Sequence, residues 1–472
     1  MSENQKIPKQ IGAVNTDEKP SRLSGAILFL LCAMLVFSVV AFGAVDVWAL
    51  GASSLVAGSI AVCWLTDAWR NKDFRFNASA LQIPLLALVL IGIIQLLPLR
   101  PADYPNDLLS ISAVRSLSLA PYLTRLAIVQ LIVCFVFFAA ALTFINDYSR
   151  LRKVVLTIII FGSVMAFYGI LQDLANLEAI YNLRLTNQAN PFASFVNRHH
   201  FAGFMEMTIG VTLGLLFGKA TENNKRIFLM IAVVIMGIAL ILTNSRGGML
   251  SLLGVITFVV AANLIRKPTS EVNSPIAGGK NYLRNFAFIG GGLAIILVLF
   301  GTVLLLGGDE SLLRGIGLQD QADISSGRIH FWQIALRIFF DHPILGAGLD
   351  AFGVAFTRYD TWSGMYRVEQ AHNDYLQILA DAGILGFACV AAFIYLLFKK
   401  GLRTIRESSD HFRRSAAVGA LAGCFGILIH SFFDFPLRTP SNAFFFFTLT
   451  ALATVSIVPS KVLRKKRSMP TL

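Results

Sequence analysis

Apolar runs of close to twenty residues recur from one end of the chain to the other, separated by short polar stretches. An α-helix needs about 20 apolar residues to cross the hydrocarbon of a bilayer, so the pattern predicts about twelve spanning helices. They fall at Leu23–Val45, Val47–Thr66, Leu81–Leu99, Leu126–Ile145, Val154–Leu174, Phe201–Phe217, Ile227–Leu242, Met249–Leu264, Asn285–Leu306, Gly383–Phe398, Ser415–His430 and Ala443–Ile457. Only Asp46 divides the first pair. The expected architecture is an all-α polytopic integral membrane protein. A disordered cytoplasmic leader (1–22) precedes helices one to nine (23–306). A long extramembrane segment (307–382), helices ten to twelve (383–460) and a basic cytoplasmic tail (461–472) follow.

Composition agrees. Of 472 residues, 56% are hydrophobic and 14% charged, against about 25% charged in soluble domains. That excludes an ordinary cytosolic enzyme and a disordered scaffold. The net charge of +13 is scattered between apolar runs rather than gathered in a stripe, so no nucleic-acid partner is expected. Cys32, Cys63, Cys134, Cys389 and Cys424 each sit inside an apolar run without a CxxC spacing and read as small packing residues. The stretch Met1–Pro20 is too long and mixed to be the n-region of a signal peptide.

The charges sort by side. An even number of spans starting inside puts both termini in the cytoplasm. All 14 lysines then fall on the inner side, and the 12 outer cations are all arginines. Positive-inside bias accounts for the lysines but not for the arginines, whose planar fork suits bidentate binding of phosphate. Six of the seven histidines also fall outside; His411 is the exception. The outer segment 307–382 is the longest, and loops of that length are usually functional. Within it Ile329, Trp332, Leu336, Phe339 and Phe340 recur at helical spacing over Gly327–Phe340, with Ser325 or Ser326 as a cap. Pro343, Gly346 and Gly348 make a turn. A second helix starts near Asn373.

Polar chemistry gathers in a few outer patches. Asn197-Arg198-His199-His200 opens a span carrying Glu206, read as the one acidic residue well inside a span and so either functional or a loop anchor. His199 and Glu206 lie two helical turns apart and share a face. Thr243-Asn244-Ser245-Arg246-Gly247-Gly248 places Arg246 at the membrane boundary, where it meets a substrate phosphate or a lipid headgroup. Ser326-Gly327-Arg328 starts the amphipathic helix. In Glu369-Gln370-Ala371-His372-Asn373-Asp374, His372 stands at a helix start, where neutral imidazole, the form a general base needs, is favoured. Asp374 is a candidate orienting or capping group. His430 through Asp434, with Arg438 nearby, closes an outer span end, and a structural role suits His430. There is no HExxH, HxH or DxD, and adjacent His199 and His200 cannot face one way on a helix, so no metal and no cofactor are expected. No P-loop, GxGxxG or serine elbow is present.

These motifs carry a resemblance. Ser326-Gly327-Arg328-Ile329 with Trp332, then His342-Pro343-Ile344-Leu345-Gly346-Ala347-Gly348, then Ala371-His372-Asn373-Asp374-Tyr375-Leu376, resemble the core of the O-antigen ligase and O-antigen polymerase superfamily. Asn197–Ala202 and Ser245–Gly248 are similar to its earlier motifs, and His430 to Asp434 to its late one. The likeness is most specific over Ala189–Pro440. It implies a metal-independent GT-C-type glycosyltransferase fold in the bacterial inner membrane. Such an enzyme passes a glycan from undecaprenyl diphosphate, at the periplasmic face, to lipid A core, another glycan or a protein hydroxyl. The implied partners are that lipid-linked donor, the glycan acceptor and membrane lipids. Arg246 and Arg328 match the family's two arginine motifs and are expected to hold the diphosphate. His372 matches its histidine and is expected to remove or orient the acceptor proton, with inversion at the anomeric carbon. Asn197, Arg198, His199, Glu206, Arg367, Asp374 and His430 are the candidate substrate-binding residues. A ligase is favoured over a polymerase of polysaccharide biosynthesis. A transporter or flippase for lipid-linked or anionic solutes is the alternative from another class, separated from an enzyme by whether Arg246, Arg328 and His372 share one cavity.

Overall fold

A computed structural model of the chain describes residues 21–99, 115–177, 179–186, 190–218, 220, 222–264, 327–361 and 368–457. Helix α1 (Arg22–Val40) starts where the Ser21 hydroxyl accepts the amide of Ser24, and α2 (Val47–Asn71) follows. The break between them comes from Gly43, whose φ of +75° belongs to a 3-10 turn at Phe42–Ala44. A residue without Cβ reverses the chain there at little cost. Then come α3 (Gln82–Gln95), α4 (Pro121–Phe144, with proline at its first position) and α5 (Tyr148–Leu174, capped by Asp147). A small antiparallel hairpin, β1 (Ala179–Ile180) and β2 (Arg184–Leu185), precedes α6 (Arg198–Phe217), α7 (Asn223–Leu242) and α8 (Arg246–Leu264). Beyond lie α9 (Arg328–Asp341), α10 (Phe352–Tyr359), α11 (Asp374–Glu407), α12 (His411–His430) and α13 (Pro440–Thr454).

Among the described residues, nine helices are long and apolar enough to cross a membrane. Of the twelve spans expected, the third is the 14-residue α3 and the last the 15-residue α13. The ninth (285–306) lies outside the described residues, as do the leader to residue 20, Ser325, Ser326, Arg367 and the tail from 458.

The centre of the bundle is the antiparallel pair α6 and α12. A Cβ added to Gly214 would lie 2.4 Å from the Gly419 Cα, and one on Gly210 2.7 Å from the Gly423 nitrogen. In lipid, where apolar burial does not drive helices together, this small-residue contact lets backbones pack directly. At one end of the bundle, buried or half-buried arginines satisfy helix-terminal carbonyls. Arg150 reaches Phe144 O at 3.1 Å, Arg414 reaches Ala262 O at 3.2 Å, and Arg413 bonds Leu452 O at 2.6 Å and also Val455 O. The polar patches gather at the opposite end.

Above that end sits a small unit made of α9, α10 and the first turns of α11, packed on Ile334, Ala335, Ile338, Phe352, Ala355 and Phe356. The amphipathic spacing anticipated α9 to within a residue, but not α10. Gly327 at the cap of α9 makes no side-chain capping bond, so the start is set by its left-handed backbone (φ +78°) rather than by a serine. The Gly346 turn runs against α11: a Cβ there would come 2.3 Å from the Asp381 carbonyl carbon. Gly383 (φ +63°) breaks α11 where the outer segment was expected to enter the membrane. Gln95 of α3 fastens the loop, accepting from the Leu349 amide at 2.8 Å and donating to Asp381 O at 2.8 Å.

Candidate active site

His372 precedes the capping residue of α11. Asn373 Oδ1 accepts the amides of Tyr375 (3.0 Å) and Leu376 (3.1 Å), while its Nδ2 donates to Phe432 O at 3.1 Å. The cap is thereby bolted to the loop that follows α12. His372 itself has φ +50°, a left-handed conformation that concentrates at functional sites when a Cβ is present. Its ring stands edge-on to Phe435 (centroids 4.8 Å apart, 78°) and near Phe331 (5.9 Å). Its Nδ1 faces Asp434 Oδ1 at 3.2 Å.

Asp434 joins the two principal residues. It is 1% exposed, its Oδ1 also accepts the Phe435 amide at 2.9 Å, and its Oδ2 lies 3.5 Å from Arg328 Nη2. Burial alone would push this carboxyl up. The hydrogen bond from His372 and the neighbouring imidazoles of His199, His372 and His200 outweigh it and hold the group well below the usual carboxylate range. An ionised carboxylate only accepts. The proton between them is therefore on His372 Nδ1, so the neutral form of the ring has its lone pair on Nε2. Arg328, at the first position of α9, remains about a quarter exposed, at a separation longer than a tight charge-assisted bond.

A second chain of polar groups lies beside this one. The Asn197 side chain caps α6 by accepting the His199 amide at 2.8 Å. His199 Nδ1 meets Ser245 Oγ at 2.9 Å, Ser245 Oγ meets His430 Nε2 at 3.5 Å, and His430 Nδ1 faces Glu206 Oε1 at 3.3 Å. Glycine at 247 is required: a Cβ would come 2.7 Å from the His430 ring. Arg246, next to Ser245, is exposed at the start of α8. The Asp434 amide donates to the His430 carbonyl at 3.0 Å, so the two chains adjoin. His200 serves packing, its Nδ1 bonded to Thr439 Oγ1 at 2.7 Å and its ring on Phe435.

One expectation is corrected. Asp374 neither orients His372 nor caps α11. Its carboxylate accepts from Ser431 Oγ (2.8 Å) and the Leu437 amide (3.3 Å), pinning the loop after α12. The cap is Asn373 and the orienting group is Asp434, because a side chain one residue into the helix projects away from the residue before the cap. Outside the spans expected from hydropathy, Asp67 and Asp381 are also buried in helices, each facing an arginine. Arg438 donates to Asp381 Oδ2 from Nη1 (3.0 Å) and Nη2 (2.9 Å) and meets Asp350 at 3.1 Å. Burial alone would lower its pKa, but the carboxylates of Asp350, Asp381 and Asp374 raise it, so this guanidinium stays charged. Arg198 opens α6, with its amide on Asn190 O at 2.9 Å.

Sequence reasoning quoted Asp434 within a motif but did not assign it a role. The available signal was an ionisable residue amid Phe432, Phe433 and Phe435. The helices α6, α8, α9 and α11 all begin at this end, and their partial positive ends reinforce the arginines there. What the arrangement shows is one guanidinium, Arg328, and one imidazole, His372, held against the same carboxylate.

Residues 231–391 match the family described as O-antigen ligase. Arg246, Arg328 and His372 all lie in that stretch. Over that stretch the chain is similar to the O-antigen ligase family. The similarity agrees with a multi-pass membrane protein, as do the nine described helices long and apolar enough to cross a membrane. Asp434, His199, Glu206 and His430 fall outside the matched stretch, but Asp434 contacts His372 and Arg328 within it, and His199 and His430 contact Ser245. No curated protein matches the chain.

Proposed function

We propose that this protein transfers a glycan from undecaprenyl diphosphate to an acceptor hydroxyl at the periplasmic face of the inner membrane. Arg328 and Arg246 bind the diphosphate. Their paired, charge-assisted hydrogen bonds strengthen as negative charge builds on the departing oxygen. His372 Nε2 takes the proton of the acceptor hydroxyl, while Asp434 fixes the ring and stabilises the imidazolium that forms. This is the division of labour between base and orienting carboxylate in hydrolytic triads. The acceptor oxygen bonds to the anomeric carbon as the carbon–oxygen bond to the diphosphate breaks on the opposite face, so the configuration inverts. Guanidinium charge supplies the leaving-group stabilisation, and no step requires a metal.

The observation that carries this reading is that one buried carboxylate, Asp434, faces Arg328 on one oxygen and His372 on the other. A base and an anion holder are thus placed side by side, as displacement at one carbon demands. The test is transfer by the purified protein in proteoliposomes from undecaprenyl-diphosphate glycan, with lipid A core and a second lipid-linked glycan as competing acceptors. Transfer to the core defines a ligase and transfer to the second glycan a polymerase. No transfer to either, with the lipid-linked glycan instead appearing in the opposite leaflet, would overturn the reading in favour of a flippase.

A further inference from the structure

The amphipathic spacing that marks α9 in the sequence does not mark the face it buries. Its contact with the rest of the outer unit is made by Ile334, Ala335 and Ile338. Turned through about 100° per residue, Ile329, Trp332, Leu336, Phe339 and Phe340 fall on the other side of the helix, in a stripe about 100° wide. Ile329, Leu336 and Phe340 are exposed, Phe340 by 71%, while Trp332 and Phe339 are half-buried. Gln333, Arg337 and Asp341, also exposed, form a polar strip between this stripe and the buried face. One apolar face suffices to dock α9 on its own unit. A second one calls for another apolar medium.

The position of α9 names that medium, because both of its ends are tied to the ends of apolar helices. At the start, Arg328 lies 3.5 Å from Asp434, just past the end of α12. Beyond its last residue, the Pro343 carbonyl accepts the amide of Ile384 at 2.8 Å and the Ile344 carbonyl that of Leu385 at 3.4 Å, where the apolar run of α11 begins. Gln95, the last residue of α3, donates to Leu345 O at 2.5 Å. Both α11 and α12 are long and apolar enough to cross a membrane. A helix held in this way lies across the mouth of the bundle, at the level where the spans leave the hydrocarbon.

The stripe is also continuous with surface that faces lipid. Ile344, 62% exposed, follows Phe340 in the turn, and Ile384 and Leu385, whose amides meet that turn, are each nearly half exposed. Hydrocarbon that covers Ile384 and Leu385 therefore reaches Ile344 and Phe340 as well.

We propose that α9 is an interfacial helix, its stripe from Ile329 to Phe340 sunk, together with Ile344, among the acyl chains of the leaflet on the active-site side. Tryptophan, phenylalanine and leucine on one face and a cation on the polar one make the composition of helices that lie in a membrane surface. The stem of Arg337 covers apolar surface while its head stays among the lipid phosphates. The partner is phospholipid. The inference needs neither the proposed base nor the proposed diphosphate site, so it stands or falls apart from the reaction.

The experiment places a nitroxide on single cysteines, Leu336→Cys, Phe340→Cys and Ile344→Cys, in full-length protein whose five native cysteines are replaced by alanine. The protein is reconstituted in phosphatidylethanolamine–phosphatidylglycerol liposomes. Collision of the label with oxygen, which concentrates in hydrocarbon, is compared with collision with a nickel chelate, which stays in water. At all three positions oxygen accessibility should exceed nickel accessibility severalfold, as at Phe29→Cys, exposed on the spanning helix α1, and the ratio should fall at Arg337→Cys. Nickel accessibility above that of oxygen at Phe340 and Ile344 would mean that the stripe faces water. Low accessibility to both reagents would mean that protein covers it, whether a second copy or another segment of the chain. Either result overturns the proposal. Phe340→Trp in the otherwise native chain asks the same question with every cysteine in place. Brominated phospholipid should quench the added fluorescence; quenching by aqueous iodide instead, or by neither, overturns the proposal.

Discussion

His372 Nδ1 and Asp434 Oδ1 lie 3.2 Å apart although 62 positions separate them in the chain. The contact fixes the tautomer of the proposed base. Asp434→Asn keeps the shape but can present an N–H to Nδ1, moving the ring proton to Nε2 and removing the acceptor. We expect kcat to fall by roughly a hundredfold or more with little change in KM for the lipid-linked donor. A single-turnover transfer assay checks it, and near wild-type turnover would remove Asp434 from the mechanism.

The same carboxyl makes a pH prediction. Its folded pKa is depressed, so its contribution to stability is fully present above the unfolded value of about 4 and lost only as pH falls through the lower folded value. The difference in unfolding midpoint between wild type and Asp434→Asn should therefore be the same at pH 7 and pH 5. A difference that shrinks on going to pH 5 would show a carboxyl titrating at or above its ordinary range.

Arg328→Lys should be far from conservative. It retains the charge but exchanges a planar fork for a point cation. We expect kcat/KM for the lipid-linked donor to drop roughly ten- to a hundredfold, in protein that inserts normally. Addition of a chelator should leave wild-type transfer unchanged; strong inhibition reversed by a divalent ion would point to a metal-assisted route.

Arg438→Gln strands the buried Asp381, which loses two guanidinium hydrogen bonds. Breaking one side of such a pair costs about 3–5 kcal/mol. The outer unit should loosen, read as faster hydrogen exchange in α10 and the first turns of α11. Asp381→Asn in the same chain should restore part of the protection, because the uncompensated charge is gone.

Helix packing offers a paired test. Gly214→Ala should destabilise the protein by about 1–3 kcal/mol, the range for overpacking, since its Cβ would press on Gly419. Gly51→Ala meets nothing within 4 Å and should be neutral or slightly stabilising in thermal unfolding.

Spanning helices were legible because hydropathy over about 20 residues is a local property. The amphipathic α9 and the helix start after His372 were legible for the same reason. Arg246, Arg328 and His372 could be picked out because arginine and histidine between apolar runs stand out by type. What joins them could not. Asp434 meets His372 only through the return of the chain after α12, and the partner of Glu206 turned out to be His430, on a helix more than two hundred residues away. The eight-residue α10 is too short for periodicity to declare itself, and its start depends on amides accepted by Asp381.

The glycine contacts between α6 and α12 have a consequence for motion. Sliding either helix by one residue, about 1.5 Å, would drive backbone into backbone and draw Glu206 away from His430. The centre of the bundle is thus a fixed anvil. Any displacement of Arg328 relative to Glu206 and His430 therefore has to come from the smaller unit whose α9 carries it.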